Sequence, residues 1–173
     1  GKTGLGKTEI LNELKSIGEQ VIDLEALANH KGSAFGGLGQ PPHPTQEQFE
    51  NLLAWNWIDV DPAKRLWLEN ESRNIGKRKI PDSVYMMMRK AKVIEITRAY
   101  EARKKRILNE YGNFSKELLA EKTQAIAKRL GGLRLKQSLE MLENNNLDGW
   151  VSIILEYYDK AYEFSYKNKK QPI

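Results

Sequence analysis

The first eight residues, Gly1-Lys2-Thr3-Gly4-Leu5-Gly6-Lys7-Thr8, fit the Walker A pattern G-x-x-x-x-G-K-[ST], and no other stretch constrains the fold as strongly. Glycines are needed there because backbone N–H groups must turn inward around phosphate oxygens, which takes positive φ and close approach. Lys7 then places a positive charge on the terminal phosphates, and Thr8 offers a hydroxyl to Mg²⁺. The helix that follows directs the positive end of its dipole at the anion. Gly1, Gly4, Leu5, Gly6, Lys7 and Thr8 are therefore assigned to phosphate binding. N–H groups and an ammonium that converge on one point require a counter-charge. Such a loop ordinarily follows a buried strand that aims it, so a strand is expected before Gly1 and the chain reads as a fragment of something longer.

The pattern beyond the loop alternates helix and strand. Ile10, Leu11, Leu14 and Ile17 keep the helical period, and Gly18 supplies a stop. Val21-Ile22-Asp23-Leu24 is expected as a short strand ending in acids, followed by an irregular glycine-rich loop from Gly32 to Pro41-Pro42. Thr45 and Gln48 form a capping box that opens a helix carrying Phe49, Leu52, Leu53 and Trp57. Arg65 to Glu69 is the next expected strand, Gly76 to Pro81 a basic loop, Asp82 to Ala91 a helix, and Lys92 to Ile96 a further strand. From Arg98 onward no strand pattern is visible. Leu119, Ile126 and Leu130 mark one helix stopped by Gly131-Gly132, and Leu135, Leu139 and Leu142 a second ended by Asn144 to Asn146. A third carries the stripe Trp150, Ile153, Ile154, Tyr157, Tyr158, Ala161 and Tyr162. The expected fold is α/β: a P-loop NTPase-like parallel sheet with flanking helices over 1–97, then an all-helical portion over 98–173.

Open α/β sheets collect ligands at the carboxyl ends of their strands. Asp23 and Glu25 stand at one such end, and Glu69 and Glu71 follow the next strand, where a Walker B acid holds the magnesium shell. Thr8, Asp23 and Glu69 are thus the candidate Mg²⁺ residues, against the plainer reading of strand-end acids facing water. Glu25, His30, Ser33 and Phe35 form a candidate substrate loop, although a lone histidine is more often a local hydrogen-bonding residue. Arg73 and the Lys77-Arg78 pair follow the second strand and would also reach the phosphate side. Met86-Met87-Met88 is packing material, and Tyr157, Tyr158 and Tyr162 belong to a core stripe.

The formal net charge of +5 comes in clusters: Lys77-Arg78-Lys79, Arg89-Lys90-Lys92, Arg98 to Arg106, and Lys167-Lys169-Lys170. Each alone reads as a solvated face. Together they suit a polyanion such as RNA, and Arg98, Arg103, Lys104 and Arg106 are the candidate contacts for it. Cysteine is absent, which excludes disulfides, thiolate metal sites and a cysteine nucleophile within this chain. There is no membrane-spanning apolar run, and a cytoplasmic location is expected.

Several stretches together resemble the C-terminal P-loop domain of the tRNA 2-selenouridine synthase family. They are Asp23-Leu24-Glu25-Ala26-Leu27-Ala28-Asn29-His30-Lys31-Gly32-Ser33-Ala34-Phe35-Gly36, then Gln46 with Phe49-Glu50-Asn51, and Glu69-Asn70-Glu71-Ser72-Arg73-Asn74-Ile75-Gly76. Leu130-Gly131-Gly132 and Tyr157-Tyr158-Asp159 with Tyr162 complete the set. The resemblance implies an enzyme that replaces the sulfur of wobble 2-thiouridine in tRNA with selenium from selenophosphate. It also implies transfer of a geranyl group from geranyl diphosphate to that sulfur, and a rhodanese-like domain, in the same or a companion chain, with a catalytic cysteine. A phosphate cradle suits that transfer without nucleotide hydrolysis, since it would stabilise the departing diphosphate. In this reading Lys7 and the loop amides hold the diphosphate, Thr8 with Asp23 or Glu69 holds Mg²⁺, and Arg73 helps neutralise the leaving group. The prenyl chain is expected near Phe35 and Phe49. Two rival readings remain at this level: a small-molecule kinase or NTPase that binds ATP, and a non-catalytic tRNA-docking module.

Overall fold

The computed structural model of the chain describes residues 2–168. Gly1 of the loop and Lys169 and Lys170 of the basic tail lie outside the described residues. The chain divides into two compact units, Gly6–Ile94 and a helical unit made of Gly1–Leu5 with Glu95–Ile173.

In the first unit, α1 (Lys7–Ser16) starts on Gly6, whose φ of 84° is left-handed, and ends before Gly18, φ 87°. Only Leu11 of its expected apolar face is buried, and Ile17 is 75 % exposed. Strand β1 (Gln20–Val21) pairs in parallel with β2 (Leu66–Trp67), Gln20 opposite Leu66 and Val21 opposite Trp67. The Gln20 side chain fixes this register. Its Nε2 donates to the carbonyls of Asp61 and Arg65, and its Oε1 accepts from Asp61 N–H at 2.6 Å. Both strands are shorter than the sequence predicts. β1 stops at Val21 because Asp23 turns the chain as the N-cap of a four-residue helix, α2 (Leu24–Leu27).

Helix α3 (Gln46–Ile58) begins at Thr45, whose hydroxyl accepts from Gln48 N–H, so the capping residue is where its sequence signature puts it. Beyond β2 the expected basic loop is instead a hairpin, β3 (Asn74–Ile75) against β4 (Arg78–Lys79), followed by α4 (Asp82–Lys90). Gly76, φ 56°, supplies the positive φ that a two-residue hairpin turn requires. Gln46 locks α3 to this hairpin by mimicking a strand edge: its amide donates to the Lys79 carbonyl at 2.7 Å and accepts from Lys79 N–H at 2.9 Å. Ile22, Leu24, Ala28, Phe49, Leu53, Ile75, Ile80 and Met88 form the core of this unit. Met88 alone of the methionine triplet is buried, because its two neighbours point off the amphipathic face of α4. The strand expected over Lys92 to Ile96 is not formed. That segment has no regular secondary structure and is largely exposed, and a strand needs a ladder partner to persist.

The helical unit comprises α5 (Tyr100–Tyr111), α6 (Lys116–Ala125), α7 (Ala127–Leu130), α8 (Gly132–Glu143) and α9 (Leu147–Asn168). Helix α9 packs against α5 and α8, and α8 against α6. The helix expected from Leu119 to Leu130 is broken at Ile126, and Gly131 alone stops it, at φ 86°. Gly132 already begins α8. The buried stripe of α9 is Trp150, Val151, Ile154, Leu155 and Tyr158, with Tyr157 and Tyr162 only half-buried. Trp150 Nε1 donates to Thr123 Oγ1, which itself donates to the Leu119 carbonyl, so the polar atoms under the tryptophan are satisfied.

Candidate functional site

Within the Gly6–Ile94 unit, the Walker lysine opens α1 and faces two carboxylates. Lys7 Nζ lies 3.3 Å from Glu25 Oε1 and 3.7 Å from Glu71 Oε1. Glu25 comes from α2 and is 6 % exposed, and Glu71 comes from the segment after β2. The counter-charge that the loop lysine requires is therefore supplied by protein acids. Gly32, φ 68°, is what lets them converge: a methyl there would sit 2.9 Å from Glu25 Oε1 and 3.0 Å from Glu71 Oε2. Burial, opposed by Lys7 and reinforced by Glu71, raises the Glu25 carboxyl to about 7. Its Oε1 makes no well-directed hydrogen bond. Two acids against one ammonium leave an excess of negative charge, and a carboxyl that holds its proton near neutrality relieves it.

Asp23 and Glu69, expected to serve Mg²⁺, are occupied elsewhere. Asp23 Oδ1 accepts from Ala26 N–H at 2.7 Å, and Glu69 accepts from Leu24 N–H at 3.0 Å and Glu25 N–H at 3.4 Å. Together they satisfy the first three N–H groups of α2, which is too short to be stable without them. Glu69 is 3 % exposed, and burial, with a hydrogen bond to Asp23, raises its carboxyl to about 9. The two acids thus cap α2 and so present Glu25 to Lys7.

The expected substrate loop folds around a histidine pair. The His30 and His43 rings lie 5.2 Å apart. His30 Nδ1 accepts from Gly32 N–H, and His43 Nδ1 donates to the Ala28 carbonyl. Burial first, then His43, lowers the His30 imidazole below its usual range, with Glu71 opposing. A methyl on Gly76 would fall 2.8 Å from the His30 ring and 3.0 Å from His43, so the hairpin turn abuts the pair. Ser33 makes only a local turn, its hydroxyl accepting from Phe35 N–H. Phe35 and Phe49, beside which the prenyl chain is expected, are both buried in the fold. Arg73 pairs with Asp82 at 2.7 Å and lies over the Tyr85 ring. Thr8 is exposed.

The expected tRNA contacts divide. Arg98 is exposed, and Lys104 is paired with Asp148 at 2.6 Å. Arg106 is half-buried. Arg103 is 4 % exposed and grips Asp159 with both guanidinium ends, which removes it from any phosphate backbone. His43 and the pairing of Glu71 with Lys7 escaped the sequence reading. The spacing of Glu71 after the strand carried a signal for it, whereas His43, flanked by prolines, carried none.

A Walker lysine opening a helix beside a parallel strand pair defines a helix-rich α/β protein of the P-loop type. The family model described as tRNA 2-selenouridine synthase AAA domain matches residues 1–173, and the chain belongs to that family. Its curated relatives include proteins named tRNA 2-selenouridine synthase. One from Shewanella oneidensis is 34 % identical over 98 % of this chain and 52 % of its own length. Others are from Shewanella frigidimarina, 32 % over 100 % and 54 %, and Nitrosomonas europaea, 30 % over 98 % and 56 %. The chain thus spans about half the length of these relatives. No solved structure matches it significantly. No helix among the described residues is long and apolar enough to cross a membrane.

Proposed function

We propose that this chain is the phosphate-binding half of a tRNA-modifying transferase that converts wobble 2-thiouridine to 2-selenouridine through a geranylated intermediate. The observation that carries the reading is the family match over residues 1–173 combined with an intact Walker A sequence. In the geranyl step the carbon–oxygen bond to diphosphate breaks as the sulfur–carbon bond forms, and negative charge gathers on the departing diphosphate. Lys7 is the cation for that charge. To reach it, the diphosphate takes the place of Glu25 and Glu71 as partner of Lys7, and a protonated Glu25 is the form that yields most readily. Selenophosphate then delivers selenium in a later step, in which a carbon–selenium bond replaces the carbon–sulfur bond, geranyl thiol departs and phosphate is released; a rhodanese-like domain of the same or a companion chain would supply the cysteine that this chain lacks.

Mg²⁺ would arrive with the diphosphate. Among the described residues no group of three or more His, Cys, Asp or Glu side chains is arranged to hold a metal, so the ion would rest on phosphate oxygens and the Thr8 hydroxyl. It would supply charge neutralisation there.

The reading is tested by competition. With Mg²⁺ present, inorganic diphosphate and geranyl diphosphate should displace one another, and Lys7→Ala should weaken both by at least about tenfold. Tight binding and hydrolysis of ATP without binding of geranyl diphosphate would favour a kinase or NTPase instead.

A further inference from the structure

Two features remain outside this account: the Tyr157-Tyr158-Asp159 stretch, and a fully buried arginine in a helix that otherwise looks basic for solvent. They meet in one arrangement within the helical unit. Arg103 of α5 points Nη1 and Nη2 at the two carboxylate oxygens of Asp159 in α9, at 2.9 and 2.5 Å. Its remaining Nε donates to the backbone carbonyl of Thr3 at 2.9 Å. Lys2 sits on the same carboxylate, 3.7 Å from Asp159 and 3.2 Å from Glu163. Gly4, φ 79°, lies so close to α5 that a methyl on it would be 3.1 Å from the Arg103 carbonyl and 3.2 Å from Ile107 Cγ1.

Burying an ion pair is costly unless every donor is used. Here each of the three guanidinium nitrogens donates, and Nε serves the backbone of the Walker loop. An isolated loop of this composition has many conformations available, and glycine widens the choice. Fixing Thr3 and Gly4 against α5 removes that freedom before any ligand arrives, and preorganised donors bind an anion more tightly than mobile ones.

We infer that Arg103 and Asp159 are positioning residues for the phosphate loop: the Arg103 fork, aligned by Asp159, holds the Thr3-Gly4 backbone in the conformation a bound diphosphate meets. The inference rests on the reading of that loop as a phosphate site. Arg103→Lys keeps a cation for Asp159 but has a single ammonium and no fork, so it cannot also hold Thr3 in the same geometry. Asp159→Asn is isosteric and removes the charge that aligns the fork.

The test uses the whole chain with Mg²⁺ and inorganic diphosphate, read by calorimetry, together with deuterium uptake of the segment 2–8 in the ligand-free chain. Both variants should bind diphosphate about tenfold more weakly or worse, as expected for a lost charge-assisted contact. Uptake over 2–8 should rise while that of α6 to α8 stays parental, which a general loss of stability would not produce. Lys136→Ala, exposed on α8, should match the parent in both readouts. Parental affinity and parental uptake in the variants would overturn the inference. A parent that ignores diphosphate while uptake still responds would keep the anchor and remove the phosphate reading. Should Arg103→Lys fail to fold, Asp159→Asn carries both measurements.

Discussion

The acids around α2 show what a single residue contributes and when. Glu69 keeps its proton up to about 9 in the folded chain, against an ordinary value of 4.5. The folded form therefore holds a proton that the unfolded chain has released, and stability falls as pH rises through that window. Glu25 adds a fall of the same sign, ending near its own value of about 7. We expect the unfolding midpoint of the Gly6–Ile94 unit to drop between about pH 5 and about pH 9, and Glu69→Gln to flatten most of the decline. The amide reproduces the protonated acid's ability to donate to Asp23, so the variant should match the parent at low pH. Thermal melts across the range check this. An identical slope in the variant would show that Glu69 is ionised in the fold. The sequence located these acids at the strand end, but their division of labour was not legible. Asp, Glu and their spacing look alike whether a carboxylate faces a metal, a lysine or three backbone N–H groups.

Elements were legible where the signal is local. The Thr45 cap, the Gly18 stop and the Asp82 start of α4 depend on residues within a turn of the boundary, and all appear where their residues predict. The β3–β4 hairpin and the truncated β1 were not: the hairpin depends on a distant partner, and β1 ends in a four-residue α2 whose first N–H groups need Glu69, 45 residues beyond Leu24. Gln46, 33 residues away from Lys79, supplies the edge that lets β4 persist. Gln46→Ala removes both bonds from an exposed edge that water can partly satisfy. We expect a loss of about 1–2 kcal/mol in unfolding free energy, measured by denaturant titration, with the loop around His30 loosened. Glu47→Ala, exposed on the same helix, should cost far less.

At the scale of the whole chain, net charge predicted more exposed cations on α5 than the helical unit leaves. Arg103 is buried and Lys104 is paired, so charge counted along the sequence overstates what a polyanion can touch. If the chain binds tRNA, affinity should fall steeply with salt, and Arg98→Glu, at an exposed position, should reduce the slope of log affinity against log salt by about one. Arg103→Glu should instead unfold the helical unit, visible as lost helical circular dichroism, because it buries two carboxylates against each other. An unchanged salt slope for Arg98→Glu would move any RNA-facing surface off this segment.

The contact between Gly76 and the His30 ring also bears on how such a chain can change over generations. A methyl at position 76 has no room while both imidazoles stand at full size. Trimming a ring first removes the clash and leaves only the strain of a side chain at the positive φ of position 76. The two positions are therefore epistatic: the methyl costs more beside an intact imidazole pair than beside a trimmed one, and the order of substitution decides which cost a lineage meets first.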